Sequence, residues 1–309
     1  MTASSRRPWW HGIFKNLNAK IAAIPMIFAT MVVFVGCSIW TIVYSFSKSR
    51  LLPSNEFVGF AQYERLLNNS LNPRWAESVE NLAFYGIFSL TLSFVLGFVL
   101  AALIDQKVRF ENVFRSIFLY PFALSFVVTG VVWQWLLSPG GIQEALNKFG
   151  AWSGIGFFED LTFKLMASSD TVMIAILIAG LWQGTGFIMV LMLAGLRGID
   201  GEIWKAARVD GIPAWKTYVV VIIPMMRGVF ITTLVIAAAG IVKLYDLVVV
   251  MTAGGPGFGS EVPAKYVYDF MFARANLGQA LAASTMMLVT VVIILIPWMY
   301  LEYGQRTKR

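Results

Sequence analysis

Few side chains in this sequence could do chemistry, and those few are spaced for binding rather than for breaking bonds. One apolar run carries Lys243, Tyr245 and Asp246 within four residues. Another carries Gln183, Gly184 and Phe187; Gln183 and Phe187 are i and i+4, hence on one face of a helix, and Gly184 leaves room beside them. An amide, an aromatic face, an ammonium and a carboxylate are suitable partners for hydroxyl groups. No nucleophile stands beside a base. The single histidine, His11, and the single cysteine, Cys37, have no companions for a metal site or an internal disulfide. The sequence holds no Gly-x4-Gly-Lys-Ser/Thr loop to cradle a nucleotide, so it cannot hydrolyse ATP by that route.

The elements that must position these residues are membrane helices. Hydrophobic residues make up 58% of the chain and charged ones 13%, outside the range of ordinary soluble domains. A hydrocarbon core of about 30 Å needs about 20 apolar residues. Six stretches qualify: 21–46, 81–104, 114–137, 171–196, 228–251 and 279–301. Each must satisfy its own backbone in lipid, so the expected fold is all-α with six transmembrane helices. Pro25 near the start of the first is tolerated. Ser89, Thr91, Ser93 and Gly97 place the second inside a bundle. Pro121 predicts a kink in the third, with Gly130 a second soft point. In the fifth, Lys243 and Asp246 are i and i+3; they either neutralise each other or contact a polyhydroxyl substrate, and both readings stay open. Gln183 likewise serves either as interhelical glue or on a path for substrate.

Lys and Arg number 24 against 17 acids, a net charge of +7. The distribution argues against nucleic acid and for a bilayer. Of the 24, 15 fall in the N-terminal tail, the loops after the second and fourth runs, and the C-terminus, against 8 in the alternate loops. That asymmetry places both termini and the 197–227 loop in the cytoplasm. The chain divides into a basic tail (1–20, with Trp9 and Trp10 as headgroup anchors), a first helix (21–46), an outer loop (47–80), a core (81–303) containing a polar loop (199–226), and a basic tail (304–309). Arg6-Arg7 precedes an apolar run with no small-residue cleavage site, so the first helix is read as uncleaved. Asn68 to Pro73 and Thr252 to Gly257 read as outer turns. The outer loop 138–170 opens at Pro139 and is rich in aromatics, Phe149, Trp152, Phe157 and Phe158. It is either an interfacial helix or a sugar-stacking surface.

The polar loop is the most structured signal. Residues 201–210 predict a short helix, Gly211 supplies a left-handed stop, and Pro213 starts a second. Ala206, Ala207 and Gly211 leave a bare patch between them, the shape of a plug for another protein's cleft. Lys205-Ala-Ala, three residues, Gly211 and a closing Ile-Ile-Pro224 resemble the EAA loop of the membrane-spanning subunits of type I ABC importers. Five further stretches resemble the carbohydrate branch, the maltose-type permeases: Leu193 to Asp200, Tyr245-Asp246, Thr252 to Pro256, Val58 to Tyr63 and Trp133 to Pro139. They cover the chain from about residue 57 onward.

The resemblance implies the type I importer fold with a cytoplasmic coupling loop, in the bacterial inner membrane. It implies as partners two copies of an ATPase that binds ATP and Mg, a second homologous permease and a periplasmic sugar-binding protein. This chain itself would bind no cofactor. Coupling falls to Glu202, Lys205, Ala206, Ala207, Asp210, Gly211 and Pro224; the candidate substrate path is Gln183, Gly184, Phe187, Lys243, Tyr245 and Asp246. The cargo class the resemblance implies is a sugar, an α-glucoside such as trehalose, sucrose or maltose, or another oligosaccharide. The alternative is a secondary transporter or channel driven by an ion gradient, which predicts acids in several helices. One departure stands out: the family's usual first Glu is Lys205 here. Glu202 lies one turn earlier on the same face and supplies the carboxylate. Glu202→Ala should therefore lower uptake more than Lys205→Ala, and the reverse order would remove Glu202 from that role.

Overall fold

The computed structural model describes residues 17–106, 108–138, 140–153 and 165–306, with side chains described between 23 and 296. Trp9, Trp10 and the rest of the N-terminal tail, Lys107, Pro139, Phe157, Phe158 and the last three residues lie outside the described residues. Among those described there is no strand, only one isolated antiparallel bridge between Ser47 and Phe57. The rest is helix and turn.

The first apolar run forms α1 (Leu17–Thr30), a widened turn at Met31–Gly36 and α2 (Cys37–Ser45). Pro25 sits inside α1 rather than near its start, because the helix already begins at Leu17. This run leaves most of its surface uncovered by the rest of the chain and packs through α2 on the last helix. After α3 (Ala61–Leu67), Pro73 opens α4 (Pro73–Asp105), eight residues before the apolar stretch begins. Proline's missing N–H costs nothing in a first turn, so the polar residues 73–80 extend the helix.

The centre of the bundle is α4 against α8 (Val172–Arg197). On α4, Tyr85, Ser89, Ser93, Gly97 and Ala101 recur every four residues and are all buried. Small residues let the two helices approach closely. A methyl at Gly97 would sit 2.8 Å from Ile188 Cγ2 of α8, and on the side of α8 that faces the Glu111–Ala123 helix a methyl at Gly186 would strike the Phe118 carbonyl oxygen. The packing expected for Ser89, Ser93 and Gly97 is present, whereas Thr91 is exposed.

Two of the expected spans are broken. The third consists of α5 (Glu111–Ala123) and α6 (Phe126–Leu137), with α7 (Ile142–Ser153) following. Its kink lies at Leu124–Ser125, three residues beyond Pro121: Leu124 is extended, and the Ser125 hydroxyl caps the new helix by accepting from Val127 N. After α9 (Gly201–Val209) and α10 (Ala214–Lys216), a widened turn at Thr217–Ile222 leads to α11 (Ile223–Met225). This segment meets α12 (Arg227–Val242) at 73°. The expected helix 228–251 stops at Val242 and restarts as α13 (Asp246–Thr252). Then come α14 (Pro263–Tyr268) and α15 (Leu277–Arg306). Among the described residues, four helical stretches are long and apolar enough to cross a membrane, and up to six if each bent pair counts as one span.

At the end of α4 away from α9, four charges are buried together. Arg74 donates to Glu261 at 2.7 Å and to Asp269; Lys265 donates to Asp269 at 2.7 Å and lies 3.6 Å from Glu261. The Glu261 side chain is only 2% exposed. The Arg74 guanidinium also lies 5.8 Å from the Phe258 and Tyr266 ring centroids. Asn72 and Gln279 donate to the Tyr266 hydroxyl at 2.6 and 2.8 Å, while burial pushes that hydroxyl up to about 12. The turn after α13 packs beside this cluster. It is tight as expected, with Ala253, Gly254 and Gly257 all left-handed and Ser169 donating to the Pro256 carbonyl.

Removing one member of such a cluster strands the others. Arg74→Met should destabilise the protein by about 3–5 kcal/mol, read as a lower unfolding temperature in detergent. Burial opposes ionisation of Asp269, but hydrogen bonds and charge from Lys265 and Arg74 outweigh it and hold the carboxyl below its ordinary 3.8. A depressed folded-state value means the contribution is present above 3.8 and lost as pH falls through the folded value. Asp269→Asn should flatten that acid limb.

Candidate functional site

Both broken helices open on one cavity of about 490 Å³ between α4, α8 and α12. Phe122, just before the first break, stacks on Phe187 with centroids 4.6 Å apart and planes at 12°. Phe126, just after it, lines the cavity, as do Ser89 and Ser93 from α4 and Lys243, Tyr245 and Asp246 from the second break. Gly184 faces the same space, and a methyl added there would meet no atom within 4 Å. Five of the six path residues named from sequence are thus brought together.

The sixth, Gln183, is not. It is 3% exposed, and its Nε2 donates to the Leu124 carbonyl at 2.8 Å. That carbonyl belongs to the break between α5 and α6. The amide therefore satisfies a backbone group that an apolar surrounding could not, which is the interhelical role.

Lys243 and Asp246 also differ from one of their readings. An unbroken helix would set them side by side, but Lys243 ends α12 and Asp246 begins α13. No ion pair joins them within 4.0 Å among the described residues, and both are exposed toward the cavity. Non-helical backbone at membrane depth is tolerated where it lines a water-filled space, and so are unpaired charges. The site therefore offers an aromatic face, serine hydroxyls, an ammonium and a carboxylate to a hydroxylated ligand. No group of three His, Cys, Asp or Glu among the described residues could hold a metal.

The polar loop folds as the sequence suggested. Asp200 caps α9 by accepting from Glu202 N at 3.0 Å. Gly211, at φ +69°, closes it: Ile212 N donates to the Ala207 carbonyl and Gly211 N to that of Arg208. Pro213 is the residue before α10 rather than its first. Ile203, Trp204 and Ala207 turn inward; Glu202, Lys205, Ala206 and Val209 turn outward. Ala207 is buried, so the bare patch consists of Ala206 and Gly211, flanked by exposed Val209 and Trp215. Asp210 is exposed beside it. Lys205 donates to Glu202 at 2.8 Å across the outer face, an exposed pair worth little in stability. Pro224 stands just ahead of the 73° bend. Arg197, at the end of α8, donates to Glu111 at 2.6 Å and lies 3.7 Å from Asp105, tying three helix ends together beneath the loop.

Sequence reasoning passed over three parts of this arrangement. The Arg74 cluster was visible as Glu261, Lys265 and Asp269 at successive i+4 positions, one helical face. Tyr85 was visible as the start of the four-residue stripe that ends at Ala101. Phe122 and Phe126 carried no signal, because only the break turns them to one space.

Residues 83–308 match the family model of the binding-protein-dependent transport system inner membrane component. A protein of Pyrococcus horikoshii described as a probable ABC transporter permease is 34% identical over 86% of this chain and 88% of its own. The trehalose/maltose transport system permease of Thermococcus litoralis is 25% identical, over 82% of each chain. Among solved structures, a chain of a bacterial alginate ABC transporter, crystallised with an alginate pentasaccharide-bound periplasmic protein, superposes with a TM-score of 0.77. It is 18% identical, covering 94% of this chain and 95% of that one, and shows the same fold. The chain belongs to the inner membrane components of binding-protein-dependent transport systems: it is an ABC importer permease, a translocation subunit that works with separate ATPase and substrate-binding proteins.

Proposed function

We propose that this permease passes a sugar, an α-glucoside such as trehalose or maltose, through the cavity bounded by its two broken helices. The observation that carries the reading is the convergence of Gly184, Phe187, Lys243, Tyr245 and Asp246 on one cavity with a stacked aromatic wall. Sugars present apolar C–H faces to rings and hydroxyls to charged and polar groups. The relative named for trehalose and maltose supports the same class. A second, homologous permease completes the path, with both termini and the α9 loop in the cytoplasm, as the excess of Lys and Arg on that side supports. Two ATPase copies bind ATP and Mg, and one of them docks on this chain at Glu202, Lys205, Ala206, Ala207, Asp210, Gly211 and Pro224. Ala207 acts from the inner face by letting α9 sit close. When ATP closes the ATPases, the docked helices move with them and the cavity changes the side to which it opens.

Two substitutions separate the two halves of this proposal. Gly184→Leu has room to fold but fills the cavity, so uptake of labelled trehalose and maltose should fall about tenfold or more, a barrier change of only about 1.4 kcal/mol, with the complex intact. Gly211→Val strains the left-handed stop by roughly 1–2 kcal/mol and crowds the docking patch. It should leave the protein in the membrane while reducing both uptake and recovery of the ATPase. Normal uptake in Gly184→Leu would remove the cavity from the path; normal uptake and ATPase recovery in Gly211→Val would remove the docking role.

A further inference from the structure

A row of aromatic rings joins the α9 loop to the cavity. Trp204, on the inner face of α9, meets Tyr218 edge to face with centroids 5.1 Å apart at 68°. Tyr218 meets Phe98 of α4 at 6.2 Å and 86°, and Phe98 meets Phe230 of α12 at 5.8 Å. Phe230 in turn meets Phe94, one turn back on α4, at 6.1 Å. All five rings are half-buried and pack on one apolar core with Met189 and Met192 of α8. Two members of that packing, Ile188 and Ala237, also line the cavity, and Ser93 beside Phe94 does too. Side-chain contact is therefore continuous from the loop to the cavity wall.

The backbone offers a poorer route. Between α9 and α12 the chain passes through the widened turn at Thr217–Ile222 and the 73° bend near Met226, both places where a helix yields. The ring contacts leave the backbone at Tyr218, the second residue of that turn, and so bypass the rest of the turn and the bend. Close-packed rings with two torsions each transmit displacement instead.

We infer that the row from Trp204 through Tyr218, Phe98 and Phe230 to Phe94 is the lever that carries movement of α9 to the cavity wall. Tyr218 and Phe230 are its positioning residues, touching neither ATPase nor cargo. The inference rests on the reading of the α9 loop as the ATPase dock.

The test uses the complex purified through this chain, with Cys37→Ser and a reporter Gly240→Cys at the cavity, where an added Cβ meets no atom within 4 Å. The rate of N-ethylmaleimide labelling is compared without nucleotide and with ATP plus vanadate. Rings intact, the two rates should differ by about fivefold or more. Tyr218→Phe should keep that ratio. Tyr218→Ala should bring it to unity while the ATPase still copurifies and hydrolyses ATP. Should Tyr218→Ala fail to assemble, Phe230→Leu, which keeps an apolar side chain, decides with the same expected loss. Adding Trp204→Leu to Phe230→Leu should cost nothing further, since links in series are not additive. A parent-like ratio in an assembled Tyr218→Ala or Phe230→Leu complex overturns the lever, as do independent, additive effects. Failure of the docking reading looks different: the parent complex would lack an ATPase, or its ratio would already be unity, and the lever would fall with it.

Discussion

A helix that breaks inside an apolar bundle exposes amide and carbonyl groups that hydrocarbon cannot satisfy, and this constraint organises the permease. Each unpaired group in such surroundings costs several kcal/mol. The chain breaks twice, at Leu124–Ser125 and at Lys243–Tyr245, and both breaks border the same cavity. At the first, the Gln183 amide takes the Leu124 carbonyl and the Ser125 hydroxyl takes Val127 N. At the second, Lys243 N and Leu244 N turn to carbonyls three residues back, and the charged side chains face open space. Cavity and breaks are thus one feature. The space admits polar backbone, and the breaks supply its polar lining.

The charges follow the same logic with two outcomes. At the end of α4 away from α9, Arg74 and the Glu261, Lys265 and Asp269 side chains of a second segment pair in a cluster with little solvent. Breaking one pair there leaves a stranded ion, so the segments are held as a unit. Lys243 and Asp246 have no such partners among the described residues and face the cavity instead. Satisfied charge fixes structure; unsatisfied charge is available to a ligand. At the opposite end, Arg197 holds the tips of α4, α5 and α8 together next to α9, whose outer face stays bare.

Much of this was legible in the sequence because it rests on local rules. Length and hydropathy give the long helices, Ser89, Ser93 and Gly97 give the buried face of α4, and Gly211 marks the end of α9. What escaped depends on tertiary context. The Lys243/Asp246 ion pair presumed an unbroken helix, and nothing local announces a stop at Val242. Pro121 announced a break but not its place, which falls at Leu124, whose carbonyl the Gln183 amide satisfies. The inward turn of Ala207, against the outward turn of Ala206, follows from how α9 packs its Trp204 face on Tyr218. The split between α4 and the Glu261 to Asp269 segment, nearly two hundred residues apart in sequence, hid the charge cluster.

The central claim is that the face of α9 bearing Ala206 docks an ATPase. Its most direct measurement is to place a cysteine at Ala206 in a Cys37→Ser background and purify the chain from its native membrane in mild detergent. A short thiol-to-amine cross-linker is then applied, and the products are identified by mass spectrometry. The account predicts a single major adduct with an ATPase subunit, in a complex that also holds a second permease. A chain that purifies without an ATPase, gives no such adduct and still passes solute in liposomes without ATP would contradict it.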